Sequence, residues 1–386
     1  MTSAAKIAIF VGAIFLSLGI YLPFFPLWLE SENFSSKQIA FLLSVPLAVK
    51  VVFTPLVTAL AGRLPQRRQA AIGYCAISFI AFSAIAFIDG FWPVLILLGV
   101  FGVFWHALIP LGDSFALTEV RLNEANYGAI RLWGSITFIL ANVGAGYVLG
   151  LVGTPSAHLL ICAMLAVALM VSFFLPSYGV PIDERPKAGL RLSAELGAFF
   201  KDRSFVAMSF SAGLLQSSHA LIYGFGTIDW IARGYSTREI GAFWAIGVIA
   251  EVLLFTQATH LFKRVAPYIL LILGGGAAIL RWLLHAEVDG FIAILVLQCL
   301  HGLSFGATHL GMQSFIAGRV SESDTPAAQG VMVLVAGVVM TLLTLICGRL
   351  YFAFGTDAFL AMAGVSLIGL MPLFLLRYPQ RSNVGG

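Results

Sequence analysis

The chain has 386 residues, a formal net charge of +4 and only 10% charged residues against 60% hydrophobic ones. Its mean hydropathy of +0.96 excludes an ordinary soluble enzyme of this length, and the modest charge gives no basis for nucleic-acid binding. Apolar runs of about 20 residues, enough to cross ~30 Å of hydrocarbon, recur throughout and imply an all-α polytopic membrane protein.

Taken in chain order, the first run begins at Lys6. It is too long for a cleavable signal and should remain as a span. Spans are expected at 7–29, 37–60, 69–88, 92–118, 128–151 and 157–175. A charged stretch rich in Pro and Gly then interrupts the pattern. Six further spans are expected at 204–226, 237–260, 266–286, 290–317, 327–352 and 357–376. The organisation predicted is a six-helix bundle over 1–176, a central cytoplasmic loop over 177–203 and a second six-helix bundle over 204–386. Cys75, Cys162, Cys299 and Cys347 all lie within apolar runs, as reduced packing residues rather than a disulfide framework. Pro23, Pro26, Pro46, Pro55 and Pro110 should bend their spans.

With the N-terminus placed in the cytoplasm, 15 of the 22 Lys and Arg residues fall in cytoplasmic loops and ends and 4 in outer ones. That bias predicts both termini inside. A faint repeat agrees. Gly128, Gly146 and Gly153-Thr154 recur 202 residues later as Gly330, Gly348 and Gly355-Thr356. The same offset sets Glu251 within one residue of the position opposite Lys50, which predicts parallel repeats with these opposite charges at similar depth.

Lys50, Asp113, Arg131, Glu251 and Arg281 each interrupt an apolar span, and His301 interrupts another. A charge at membrane depth costs roughly 2.5–3.5 kcal/mol on insertion scales, so such residues face a protein interior or a water-filled path. The three cations outnumber the two acids, and a bound carboxylate would neutralise the excess. Trp244 lies seven residues before Glu251, on the same helical face, where it could stack on a substrate. His106, His219 and His309 read first as satisfied hydrogen-bonding residues, and His260 and His285 as interfacial ones. No histidine pair has the spacing of helix-borne metal ligands, and no phosphate-binding loop is present, so neither a metal, a cofactor nor ATP drive is expected.

Twelve spans in two repeats with a charged central loop resemble the major facilitator superfamily. The stretch from Leu60 to Arg68 resembles the superfamily's loop signature between spans 2 and 3, with Gly62 where an Asp is usual. Asp113 in PLGDSFALTEV and Arg131 in YGAIRLWGS resemble the acidic–basic pair of the lactose permease family. Glu251, Arg281 and His301 resemble that family's charged residues on helices 8, 9 and 10. YGAIRLWGS, HALIYGF, GAFWAIGVIAEV and Lys50 are similar to the 3-phenylpropionate transporter branch of this group. Gln298 and Ser304 depart from lactose permease, which has a lysine and its main proton-carrying carboxylate at those places.

The resemblance implies alternating access, driven by protons, in a bacterial-type inner membrane, by a functional monomer. Lys50, Asp113, Arg131 and Trp244 are the expected substrate-binding residues. Glu251, Arg281 and His301 are the expected proton-coupling ones, because a carboxyl in a low-dielectric cavity can carry a proton that a nearby positive charge drives off. Structural ion pairing remains the alternative for Asp113–Arg131 and for Lys50–Glu251. The expected cargo is a small organic acid, favoured as an aromatic carboxylate. A sugar, a nucleoside or an exported metabolite is the alternative, and an intramembrane enzyme or passive channel fits less well.

Overall fold

A computed structural model describes residues 1–64, 66–178, 199–262, 264–321 and 324–374. Most of the central loop, together with Arg185, Lys187, Arg191, Lys263, Arg377 and Arg381 from the charge tally, lies outside the described residues, as does the end of the last expected span.

The first six helices are α1 (Ser3–Ser31), α2 (Ser36–Arg63), α3 (Arg67–Ala84), α4 (Phe91–Asn123), α5 (Tyr127–Val152) and α6 (Ala157–Ser172). They are followed by α7 (Arg203–Ala232), α8 (Thr237–Leu261), α9 (Pro267–Glu287) and α10 (Phe291–Arg319). The last apolar stretch, Ala327–Phe374, runs for 48 residues. As one helix it would be about 72 Å long at ~1.5 Å per residue, more than twice the hydrocarbon thickness. It breaks at Gly355, whose φ of 54° favours glycine, into α11 (Thr325–Phe354) and α12 (Ala358–Phe374). The twelve expected spans are therefore present.

Two helices outrun their expected ends by five residues or more. The helix α4 continues to Asn123, where Glu124 adopts a left-handed conformation. Its final turn, TEVRLN, is polar and leaves the apolar run before the helix stops. The helix α7 continues to Ala232 past Asp229, a buried acid that masks the apolar pattern.

The repeat is written into the caps more sharply than into the spans. Ser35 with Gln38 forms a capping box on α2, and Ser236 with Glu239 forms its counterpart on α8. Gly90 and Gly290, both with φ of 93°, precede α4 and α10. Gly153 and Gly355 each open a 3-10 turn before α6 and α12. Counted from its capping serine, Lys50 is fifteen residues into α2 and Glu251 fifteen residues into α8, so the two occupy equivalent positions.

The helices α1 and α4 pack with α5, α6, α2 and α3, while α7 and α9 pack with α11, α12 and α10. The broad contacts between these groups are α2 with α11 and α5 with α8. They are set by the repeated glycines. A Cβ on Gly146 would lie 2.4 Å from the Thr237 carbonyl oxygen, and one on Gly348 2.4 Å from that of Ser36. Only glycine permits backbones to approach this closely. Thr237 Oγ1 also donates to the Gly146 carbonyl at 2.8 Å. Arg238 covers the Tyr147 ring at 4.7 Å, and Lys37 covers Phe352 at 4.8 Å. All of these joins lie where α2 and α8 begin. At the opposite end, where α1 begins, no hydrogen bond, ion pair or cation–π pair joins the groups among the described residues.

Candidate functional site

Two cavities lie between the helix groups, with about 250 and 450 Å³ of free space. They share Leu18, Leu22, Tyr223 and Phe305 in their walls and so form adjoining lobes of one chamber. Lobe one holds Glu251, Arg281, Gln298, His301 and Trp244. Lobe two holds Lys50, His106, Trp105, Tyr21 and Gln216.

Helices α7 and α10 depart from regular α geometry where they line the chamber. Ile222–Gly226 and Gly302–Ala307 are π-helical, a local form found mostly at functional sites. These segments carry Tyr223 and Phe305, and His301 directly precedes the second. Trp244 donates its indole N–H to Thr227 Oγ1 at 3.0 Å, which fixes the ring against α7 at the wall of lobe one.

The polar chain in lobe one is continuous. Arg281, 2% exposed, donates from Nη1 to His301 Nδ1 at 3.2 Å and to Ser304 Oγ at 3.4 Å. Its Nη2 donates to Gln298 Oε1. Because a guanidinium only donates, His301 Nδ1 must accept, and the ring proton sits on Nε2. That N–H faces Glu251 Oε2 at 3.4 Å. Ser304 is also 3.0 Å from His219 Nε2, and His219 Nδ1 is 3.1 Å from the Gln216 carbonyl. With the Nδ1 proton donated to that carbonyl, the serine hydroxyl donates to Nε2. The two departures from the lactose permease pattern, Gln298 and Ser304, thus meet at Arg281 and supply it with neutral acceptors. Among the described residues no carboxylate pairs with Arg281, and Glu251 is reached through His301.

Lobe two differs. Lys50 has no hydrogen bond or ion pair among the described residues, and the expected alternative of a Lys50–Glu251 pair is not formed. The surrounding wall is largely aliphatic, with one aromatic patch: Tyr21 packs against Trp105 at 5.1 Å, and Trp105 against His106 at 5.3 Å.

Asp113 and Arg131 do pair, at 3.4 Å, with about a third of each side chain exposed. Tyr127 donates to Asp113 at 3.2 Å, and the Arg131 guanidinium lies 4.5 Å over Phe15. Neither charged residue lines a lobe, although Phe15 and Ser135, one turn along α5, line lobe one. The pair therefore sits apart from Lys50, Glu251, Arg281, His301 and Trp244, which the structure gathers in one chamber.

Sequence reasoning missed several polar residues. His285, in the last turn of α9, is turned into the protein: it is 1% exposed, with Nε2 3.7 Å from the equally buried Asp229. Thr356 donates to that aspartate at 2.6 Å. His158 is buried against the Phe82 carbonyl at 2.8 Å. Tyr178 donates to the buried Glu119, and burial followed by this contact pushes the phenol up to about 12. Cys299 is exposed rather than packed, while Cys75, Cys162 and Cys347 are buried and free. The signature loop acts through Arg67, which donates to Thr118 Oγ1 at 2.9 Å and anchors α3 to α4.

Comparison with known proteins bears on the whole chamber. The MFS_1 like family model matches residues 5–361. The chain is 31% identical over 369 residues to the "Probable 3-phenylpropionic acid transporter" of Escherichia coli, covering 94% of each sequence. It is 23% identical over 303 residues to the maltose permease of Geobacillus stearothermophilus, covering 77% of this chain and 75% of that one. The crystal structure of nucleoside transporter NupG superposes with a TM-score of 0.84 at 18% identity, covering 98% of this chain and all of that one, which establishes a shared fold. Twelve helices in two repeats, a chamber between them and these matches together place the chain in the MFS_1 like family of major facilitator superfamily transporters, with no enzymatic role.

Proposed function

We propose that this transporter takes up a small aromatic carboxylate by proton-coupled symport. Lys50 carries the reading: it is a cation in an apolar lobe that includes Tyr21, Trp105, Tyr223 and Phe305 and has no acid in its lining. An uncompensated charge in a low-dielectric site is costly, and a substrate carboxylate offsets that cost. Such a carboxylate would form charge-assisted hydrogen bonds with the ammonium, and its ring would lie among Trp105, Tyr21, Tyr223 and Phe305. The relative in Escherichia coli, with its name as a phenylpropionic acid transporter, supports the same class.

Glu251 is the proton carrier in this reading. His301 presents an N–H to it and is itself held by Arg281, so a proton arriving at Glu251 weakens one end of the chain. Trp244 stacks on the substrate from lobe one. Arg131 sits one turn along α5 from Ser135 in the chamber wall and, with Asp113, meets the substrate at its mouth.

Residues 1–176 and 204–386 rock as two units joined by 177–203. The seal at the beginnings of α2 and α8 alternates with one at the other end. The basic bias of the loops supports a multi-pass inner-membrane protein with both termini in the cytoplasm, which makes the sealed end the outer one and this conformation inward-facing. One chain contains the whole chamber, in keeping with a functional monomer.

The test is uptake of labelled 3-phenylpropanoate into proteoliposomes with and without an inward proton gradient. Accumulation should require the gradient. Equal uptake without it would reduce the protein to a facilitator. Competition by nucleosides or maltose, with none by the acid, would replace the substrate class.

A further inference from the structure

Helices α2 and α4 meet along a line of glycines on α4. A Cβ on Gly99 would lie 3.5 Å from Val45 Cγ1, and one on Gly102 would lie 2.7 Å from Pro46 Cα and 2.9 Å from Val49 Cγ2. The paired numbers rise together, so the two helices run parallel. Close approach at Gly102 fixes the register of the next turn. Gly102 and Pro46 are 56 residues apart, and so are His106 and Lys50, each four residues further along its helix. Lys50 and His106 therefore stand at one level on adjacent helices, and both line lobe two. The ammonium is near enough for its charge to act on the imidazole.

Their polar atoms are unspent. The sequence reads His106 as a satisfied hydrogen-bonding residue, whereas its ring makes no hydrogen bond among the described residues and packs against Trp105 at 5.3 Å. Neither Lys50 nor His106 is fully buried, and none of their side-chain nitrogens is among the occluded unpaired atoms, in contrast to Gln298 Nε2 and Arg281 Nε. They open on the lobe rather than into packed protein. Ser217 and Thr344, which line the same lobe from the second half, donate to the Ala336 and Met340 carbonyls of α11. The α2–α4 wall thus presents a pair of uncommitted donors, because the imidazole carries at least one N–H in either protonation state.

Two donors at one level suit a ligand with two acceptors. A carboxylate accepts only, through two oxygens with about four lone-pair sites. An ammonium on a flexible stem holds such a group as a point charge and does not fix its plane. An N–H from the neighbouring helix does. Building on the aryl-carboxylate reading, we infer that His106 is a second substrate-binding residue: Lys50 takes one oxygen of the substrate carboxylate, and the His106 ring N–H takes the other. The anion then bridges α2 and α4, with its chain directed to the apolar waist of Leu18, Leu22, Tyr223 and Phe305 that the lobes share.

Two measurements test this. Calorimetric titration of the full-length purified protein compares 3-phenylpropanoate with 3-phenylpropanamide. In His106→Phe, which keeps a ring without an N–H, the acid should bind about 10-fold or more weakly and the amide only about 2- to 5-fold, the difference between hydrogen bonds to charged and to neutral acceptors. Equal losses for acid and amide would make His106 a packing residue, and no loss for either would remove it from the site. Both results overturn the inference and leave the aryl-carboxylate reading intact. The second measurement needs no substitution. Rotational-echo NMR of the unaltered protein in bilayers, with isotope-labelled histidine rings and carboxyl-labelled 3-phenylpropanoate, should show a carbon–nitrogen contact of about 4 Å, one N–H···O bond plus one C–O bond. His106 is the one histidine lining lobe two among the described residues. Bound acid without that contact, or with one that survives in His106→Phe, overturns the inference alone. No binding of the acid, or equal binding of acid and amide by the unaltered protein, overturns both the inference and the reading on which it rests.

Discussion

Lys50 and Glu251 stand fifteen residues beyond matching capping serines, on equivalent helices, at equivalent depth. Their surroundings diverge. Glu251 is tied through His301 to Arg281, with neutral Gln298 and Ser304 accepting from the guanidinium's terminal nitrogens. Lys50 shares a largely apolar lobe with Tyr21 and Trp105 and no acid. The repeat thus fixes where a charge stands, while non-repeated neighbours decide what it can do. A carboxyl wired to a histidine can hand a proton on, and an isolated ammonium waits for an anion.

The sharpest way to break this division is Lys50→Met. Acid binding should weaken by about 30-fold or more, the loss of one buried charge-assisted hydrogen bond at ~2–3 kcal/mol. The thermal midpoint of the ligand-free protein should rise, because an unpaired buried charge is replaced by an apolar chain of similar length. Titration and thermal unfolding in detergent read the two effects. An acid and its amide binding equally well to the unaltered protein would remove Lys50 from the anion site.

The glycine seals test whether the two halves are equivalent where chemistry is not at stake. A Cβ at Gly146 or Gly348 would sit 2.4 Å from a backbone oxygen across the interface, well inside contact distance. Gly146→Leu and Gly348→Leu should each part the sealed end. Labelling of Leu43→Cys, which lines the chamber behind the seal, by a membrane-impermeant maleimide added outside should accelerate several-fold in both. An effect in one variant only would mean that the pseudo-symmetric seals carry unequal loads.

Asp113 and Arg131 mark the boundary of the site. Their pairing is one-third exposed, and such pairs contribute ~0–1 kcal/mol. Asp113→Asn should therefore change the thermal midpoint by a few degrees at most, while the rate of substrate exchange falls if Arg131 meets the substrate at the mouth. An unchanged rate would leave the pair a purely structural tie between α4 and α5.

The smallest effect lies outside the membrane. Asp289 is held below the usual carboxylate range, first by the Tyr235 hydroxyl and then by the Gly290 N–H and Arg233. A carboxylate whose folded pKa is depressed contributes stability above its unfolded pKa, near 4, and loses it as pH falls through the folded value. Melting curves between pH 6 and pH 3 should show a slight acid-side loss in the unaltered protein. Asp289→Asn should lack that component.

Much of this was legible in the chain. Twelve spans follow from hydropathy alone, and lone charges within them mark the chamber because lipid tolerates them poorly. Trp244 and Glu251, seven residues apart, share lobe one as helical periodicity requires. What escaped is contact between distant segments. Nothing near Asp229 in sequence shows that His285 and Thr356 surround it, and the alternation of apolar residues cannot reveal that Arg131 points beside the chamber rather than into it. The capping boxes at Ser35–Gln38 and Ser236–Glu239 were visible as short motifs. They register the repeat more closely than its glycines do.

In the proposed cycle the proton travels with Glu251 and the anion with Lys50. The most direct measurement is exchange against accumulation of labelled 3-phenylpropanoate by Glu251→Gln in proteoliposomes. The amide keeps the side chain's shape but has no proton to release. Exchange of labelled for unlabelled substrate needs only reorientation of the loaded carrier, so it should persist, while uphill accumulation under an inward proton gradient should vanish. Normal accumulation by Glu251→Gln would contradict the account and move the coupling proton to another residue.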